Sequence, residues 1–263
     1  MSARARTGTT STSPAKPIAV LDPATTMEVL RDGDLEIVGR IVGSSNNAML
    51  VTVTRACPEP EPPISLHAIY KPTLGERPLS DFPDGTLARR EVAAWHVSEA
   101  TGWGIVPPTV LRDGPFGEGM VQSFVEADPE VDVVDLVVGD DPRLRRMAVL
   151  DAVMNNTDRK GGHILPVDGG RRIHGVDHGV CFSSVPKLRT VLWGWRGEPF
   201  APDEVEGLER LHAALDGELG PTLRELLSRT EVRATARRTD ELLATGHFPF
   251  PSPTWPAVPW PPF

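Results

Sequence analysis

The sequence is poor in cysteine, in positive charge and in long apolar runs, and each shortage removes a class of function. Cys57 and Cys181 are its only cysteines, far apart and in no CxxC pair. Neither a structural zinc site nor a disulfide framework is expected, and both thiols are expected to be reduced. Basic side chains number 27 against 36 acidic ones, a net charge of −9. Nucleic acid rewards a concentrated basic surface, so it is not the expected partner. Anionic membrane gains no attraction either. No apolar stretch approaches the roughly 20 residues that span a bilayer. The opening MSARARTGTTSTSPAKP carries two arginines with no apolar segment behind them, so it does not read as a signal peptide. The expectation is a soluble cytoplasmic protein without a transmembrane segment.

What is present suits a globular chain: 263 residues, 40% hydrophobic and 24% charged, enough for one two-lobed domain with a core. Residues 1–22 are rich in Ser, Thr, Ala and Pro without periodicity and are expected to be disordered. Residues 248–263, FPFPSPTWPAVPWPPF, exclude helix and central strand through their prolines. They read as an extended aromatic arm packed on the body, or as a partner-binding tail.

Between these ends, Met27–Leu30 reads as a short helix, and Leu35–Val42 and Ala48–Arg55 alternate apolar and polar residues about a Gly/Ser/Asn turn, the pattern of a hairpin. Leu66–Lys71 is a third strand, Leu87–Ala100 a helix, and Thr109–Leu111 with Gly119–Glu126 two further strands. After residue 126 the texture turns helical: Arg143–Asn155, then a small hairpin at His163–Val167 and Arg172–Val176, then two or three helices over residues 202–244. The implied domains are an N-lobe over residues 23–126, a helical C-lobe over 127–247 and the arm.

Four pieces of chemistry lie along this pattern. Gly43, Ser44, Ser45 and Asn46 form a turn whose backbone N–H groups could cradle phosphate, although any hairpin needs such a turn. Lys71 ends a strand, where an ammonium can meet the phosphates of ATP, and Glu91 on the following helix could aim it. Arg89 and Arg90 flank Glu91, so its partner is open. The loop NNTDRKGGHIL holds Asp158, a carboxylate able to orient an attacking hydroxyl, with His163 in the position of a metal ligand. Asp177 ends a strand before His178 and Gly179, a way to present a Mg²⁺ ligand. Asp151, Asn155 and Asn156 read as structural partners of that loop, and Trp193 and Trp195 as packed aromatics.

The stretches YKPTLGERPLSDFPDGTLARREVAAW, GWGIVPPTVLRDGPFGEGMVQSFV, NNTDRKGGHIL and GVDHGVCF resemble the atypical kinases grouped with the phosphatidylinositol 3-/4-kinases and HipA-like kinases, over roughly residues 27–200. The nearest resemblance is to small actinobacterial phosphatidylinositol 3-/4-kinase-like proteins. It implies an α+β, two-lobed protein-kinase-like fold with an antiparallel β N-lobe carrying one helix and a mainly helical C-lobe. It implies ATP and Mg²⁺ as cofactors, Lys71 on the phosphates, Asp158 and Arg159 as the catalytic pair, Asp177 as the main metal ligand, and adenine held by backbone at Phe124 and Val125. His163 stands where the lipid kinases have a metal-binding Asn, a departure that implies one metal held less well, a preference for Mn²⁺, or reduced activity.

The leading reading is an ATP-dependent phosphotransferase whose acceptor is a protein Ser/Thr, a small molecule or a lipid head group. A nucleotide-binding pseudokinase serving as a regulatory module is the alternative, favoured by His163. A metal-dependent phosphohydrolase is a third, needing neither Lys71 nor a hinge strand. Removing residues 1–20 is expected to change the melting temperature by less than about 2 °C, since that segment lacks the apolar content to join a core. A larger drop by differential scanning fluorimetry would show that it is structural.

Overall fold

The structure is a computed structural model that describes residues 21–41 and 47–263. Residues 1–20 of the expected tail, and the turn residues Gly43, Ser44, Ser45 and Asn46, lie outside the described residues.

Helix α1 (Pro23–Asp32) leads into strands β1 (Asp34–Arg40), β2 (Met49–Arg55) and β3 (Ile64–Pro72), then helix α2 (Leu87–Thr101) and strands β4 (Thr109–Gly114) and β5 (Gly117–Ser123). The five strands form one antiparallel sheet in the order β1-β2-β3-β5-β4. Alternation along the strands gives the sheet two apolar faces. On one, Val51, Val53, Leu66, Ala68 and Tyr70 pack against Val29 and Leu30 of α1. Each fully buried aliphatic side chain there contributes about 2 kcal/mol. On the other face, Met120 and Ile69 meet Ala88 and Val92 of α2. The helix expected at Met27–Leu30 is thus longer, and it covers the sheet face that α2 leaves open.

The second lobe is built of α3 (Val133–Val138), α4 (Pro142–Met154), the hairpin β6 (Ile164–Val167) and β7 (Arg172–Gly175), and α5 (Pro202–Asp216), α6 (Leu219–Leu226) and α7 (Arg229–Thr245). Helix α3, six residues reading VVDLVV, is too short for its apolar pattern to separate it from a strand. Helix α4 is its axis, with Met147, Val149, Leu150, Val153 and Met154 wholly buried among residues of α2, α5, α6 and α7. Asp141 caps its start, with its side chain accepting from Arg143 N, and Pro142 fills the first turn. Asn155 ends it in a left-handed conformation, φ 52°. Its side chain donates to the carbonyls of Ser183 and Val185 and accepts from Lys187 N. This fold is the expected one: an antiparallel β lobe followed by a helical lobe.

Helix α2 belongs to both lobes, and one side chain holds it. Arg90, 1% exposed, donates to Glu231 Oε1 at 2.6 Å and to the Cys181 carbonyl at 2.8 Å, with its guanidinium stacked 4.8 Å from the Phe82 ring. Thr86 makes no capping bond at the start of α2; the Glu76 carboxylate, ten residues earlier, accepts from Leu87 N and Ala88 N instead. Burial raises the Glu231 carboxyl, but hydrogen bonds from Arg90 and Ser228 and the Arg90 charge outweigh it, and the pKa ends below its ordinary 4.5. A lowered native pKa gives stability that is full above the unfolded value and fades as pH falls through the native one. Glu231→Ala is therefore expected to cost about 3 kcal/mol at pH 7. That gap should narrow as the pH drops below 4.5. Urea titrations of both chains across pH check this; a gap that stays constant would refute the ion-pair account.

Candidate active site at the lobe junction

Strand parity decides where Lys71 points. On β3, Leu66, Ala68 and Tyr70 face α1, so Ile69 and Lys71 face the α2 side. On α2, Glu91 follows Ala88 by one turn and lies on the same sheet-facing side. Lys71 Nζ donates to Glu91 Oε1 at 2.7 Å and to Asp177 Oδ1 at 2.9 Å. The other Glu91 oxygen accepts from His178 N at 2.8 Å. One buried carboxylate thus ties α2 to β3 and to the segment after β7. The rival arginines are engaged elsewhere, Arg90 as above and Arg89 with Glu118 at 2.8 Å. Lys71, Glu91 and Asp177, spread over 106 positions of the chain, meet here.

Asp177 has φ 61°, a left-handed conformation uncommon for a residue with a Cβ. Its side chain remains 43% exposed. The Lys71 charge, against the effect of burial and with help from His163, holds the Asp177 carboxyl well below the usual carboxylate range. Burial works against the Lys71 ammonium, but the charges of Asp177 and Glu91 outweigh it and raise its pKa. Both groups are ionised at neutral pH.

Asp177 Oδ2 lies 3.4 Å from His163 Nε2. Burial pushes His163 below its ordinary value, which leaves a neutral imidazole, and its Nδ1 is buried without a partner among the described residues. A carboxylate oxygen open to solvent beside a neutral imidazole fits a divalent cation that completes its shell with phosphate oxygens and water. Among the described residues no group of three or more His, Cys, Asp and Glu side chains could hold a metal unaided.

Asp158 is partly exposed at the mouth of the same loop, 3.0 Å from Lys160 Nζ. Its backbone N–H donates to Asn156 Oδ1 at 3.0 Å, and Asn156 Nδ2 donates to Asp151 Oδ1 at 2.9 Å. Arg159, beside it, is fully buried rather than exposed to the cleft. Its Nε and Nη2 grip Asp151 at 2.9 Å each, Nη1 reaches the carbonyls of His163 and Val176, and Nη2 also meets His178 Nε2 at 2.6 Å. His178, pushed well below its ordinary value by burial and then by the Arg159 charge, is neutral and accepts through Nε2. Arg159, expected as a catalytic residue, instead uses its donors inside the fold and holds the backbone at His163 and Val176, with no surface open to the cleft. Of this network, sequence reasoning placed Asp151 beside the loop but missed His178. No local pattern marks it, because its partners Arg159 and Glu91 lie 19 and 87 positions away.

Phe124 and Val125, the expected hinge, follow directly on β5. The Phe124 N–H already donates to the His67 carbonyl at 2.9 Å, so it is not a free donor for a base. Just before β2, Asn47 Oδ1 accepts from Arg40 Nη2 at 2.8 Å. Gly75 adjoins Asn47: a Cβ there would stand 2.5 Å from Asn47 Nδ2. Asn47 thus lies beside the loop that follows Lys71. Cys57 and Cys181 are both free thiols, and no helix among the described residues is long and apolar enough to cross a membrane.

No protein-family model matches the chain. It is 42% identical over 271 residues to Protein Rv2133c of Mycobacterium tuberculosis strain H37Rv, covering 89% of this chain and 94% of that protein. Among solved structures it is similar to the Golgi casein kinase, with a TM-score of 0.53 and 15% identity over 84% of this chain and 73% of that one. The Helicobacter pylori proinflammatory kinase CtkA aligns at a TM-score of 0.47 and 13% identity, over 83% of this chain and 94% of that one. At such identities the likeness is one of fold, and it rests on the Golgi casein kinase.

Arg159→Lys is expected to destabilise the chain by about 3 kcal/mol, because an ammonium cannot reproduce the planar fork that fills a dry site. Guanidinium denaturation checks this. A loss under about 0.5 kcal/mol, as at a surface position, would show that the guanidinium does not hold the loop.

Proposed function

The chain belongs to the family of Protein Rv2133c, and from its site we propose that it is an ATP-dependent phosphotransferase acting on a hydroxyl, of the phosphatidylinositol 3-/4-kinase-like and HipA-like kind. The observation that carries this reading is the contact of Lys71 with both Glu91 and Asp177 across the lobe junction. An ammonium held between a helix carboxylate and a strand-end carboxylate is the arrangement that phosphoryl transfer requires on the donor side.

In this reading Lys71 binds the ATP phosphates, aimed by Glu91. Asp177 and His163 would hold Mg²⁺, or Mn²⁺ where the imidazole tips the preference. When bound, that cation neutralises charge on the transferring phosphate. The carbonyl of Phe124 and the backbone of Val125 face the base, and Gly43, Ser44, Ser45 and Asn46, outside the described residues, are the expected source of N–H donors for the phosphates. Asp158 accepts the proton of the acceptor hydroxyl as its oxygen bonds to the γ-phosphorus. The bond from that phosphorus to the β,γ-bridging oxygen breaks, and ADP leaves with its electron pair. Arg159 acts through the loop backbone. The N-lobe then spans residues 23–126 and the C-lobe 127–247, working in the cytoplasm on a protein Ser/Thr, small-molecule or lipid-head-group acceptor.

ATP with Mg²⁺ or Mn²⁺ is expected to raise the melting temperature, and Lys71→Ala to weaken that shift. Asp177→Asn should remove the metal-dependent part of nucleotide affinity. Asp158→Asn should leave affinity within about twofold and lower slow ATP turnover by at least about 100-fold, since a group acting mainly in the transition state changes rate. Calorimetric titration and a turnover assay read both. The absence of any thermal shift at millimolar nucleotide would end this reading, and intact binding with no turnover in the unaltered chain would favour a pseudokinase.

A further inference from the structure

The aromatic arm does not hang free: it lies along the outside of the loop that carries Asp158 and His163. The loop backbone is first held by residues 189–191, where Arg159 N donates to the Arg189 carbonyl at 3.1 Å and Val191 N to the Arg159 carbonyl at 3.1 Å. The arm adds an outer layer. Thr190 N and Trp193 Nε1 both donate to the Ala257 carbonyl, at 3.0 and 2.8 Å, and the Lys187 ammonium sits 5.2 Å from the Trp255 ring centre. At its end the arm reaches the loop itself, where Gly161 N donates to the Pro262 carbonyl at 2.8 Å.

That last contact stands at the start of the single 3₁₀ turn Gly161–His163, where a backbone N–H has no partner inside the turn. Two residues on, the His163 carbonyl accepts from Val176 N at 3.1 Å, directly before Asp177. Prolines 256, 259, 261 and 262 suit this work. They lack N–H donors and favour extended backbone, so the arm offers carbonyls in a shape that needs little ordering. Phe263 lies across Gly161. Gly161 is not in the left-handed region, so its backbone would accept alanine; what excludes a Cβ is the Phe263 ring. Gly162, its neighbour, has nothing within 4 Å of a Cβ.

We propose that Trp255–Phe263 is a positioning element of the loop carrying Asp158 and His163, with Phe263 seated on Gly161 as its anchor. Its effect on rate rests on the phosphotransferase reading; its effect on the loop does not. The full chain is compared with Phe263→Ala, Phe263→Tyr, Gly161→Ala and Gly162→Ala. Amide hydrogen exchange at residues 160–163 reads the loop, Mg-ATP titration reads affinity, and slow ATP hydrolysis reads turnover.

Phe263→Ala and Gly161→Ala are expected to speed exchange at Gly161 about tenfold or more. They should lower kcat about tenfold while Mg-ATP affinity stays within about twofold, because a small misplacement of a reacting group falls on rate rather than binding. Phe263→Tyr should retain both properties, and Gly162→Ala should leave exchange at Gly161 unchanged. Unchanged exchange in Phe263→Ala overturns the proposal whatever the activity. A rise in kcat also overturns it, showing a strap that blocks the acceptor, as does an equal loss of affinity and kcat. A parent chain that binds no nucleotide sinks the phosphotransferase reading, and the exchange data then decide the arm alone.

Discussion

A guanidinium does not lose its proton at any pH the fold survives, so burying one makes each of its five N–H donors costly to leave unmet. Arg159 is fully buried, and Asp151, His178 and the carbonyls of His163 and Val176 account for every one of them. The geometry of the site follows. Asp151 sits on α4, so the arginine anchors the loop after that helix to the core. The two carbonyls belong to His163 and to the residue before Asp177, so the same group spaces the imidazole from the carboxylate. The cost of desolvating the pair is met by these bonds, and any partner lost leaves a charge in a dry volume.

Helix α2 extends that rigidity to the N-lobe. Glu91 binds Lys71 on one side and His178 N on the other. His178 in turn meets Arg159, so the ammonium on β3 and the guanidinium of the loop are linked through two residues. Arg90, one position earlier on the helix, ties it to α7 and to the Cys181 carbonyl. Adjacent residues on one helix, about 100° apart around its axis, thus meet different partners, one at the cleft and one in the C-lobe. Helix α2 cannot tilt without disturbing both.

Much of this was legible locally. Alternation in AMLVTVTR and LHAIYK marked β2 and β3, and helical spacing in LARREVAAWHVSEA marked α2 to within one residue. Lys71, Glu91, His163 and Asp177 could be picked out by residue type and order, and they do converge. The burial of Arg159 was not legible, because an Asp-Arg pair in a polar loop looks equally solvated from either residue. Nor was the engagement of the Phe124 N–H by His67, which depends on the register of β3 against β5. The arm was readable as extended from its prolines, but its seat was not: a proline-rich segment has no periodicity to show which face it covers.

By itself the sequence determined the order of the strands and of the helices other than α3, the shortage of cysteine and basic charge, and the residue types able to hold phosphate and metal. These are properties of short windows, set by side-chain period and backbone preference. Only the tertiary structure decided that Asp151 and His178 clamp Arg159, that Glu91 serves Lys71 rather than its own arginine neighbours, and that Pro262 and Phe263 close on Gly161. Each of these joins positions brought together by the packing of one element on another, and hydrogen bonding at about 3 Å is decided by that packing, to which no local pattern is sensitive.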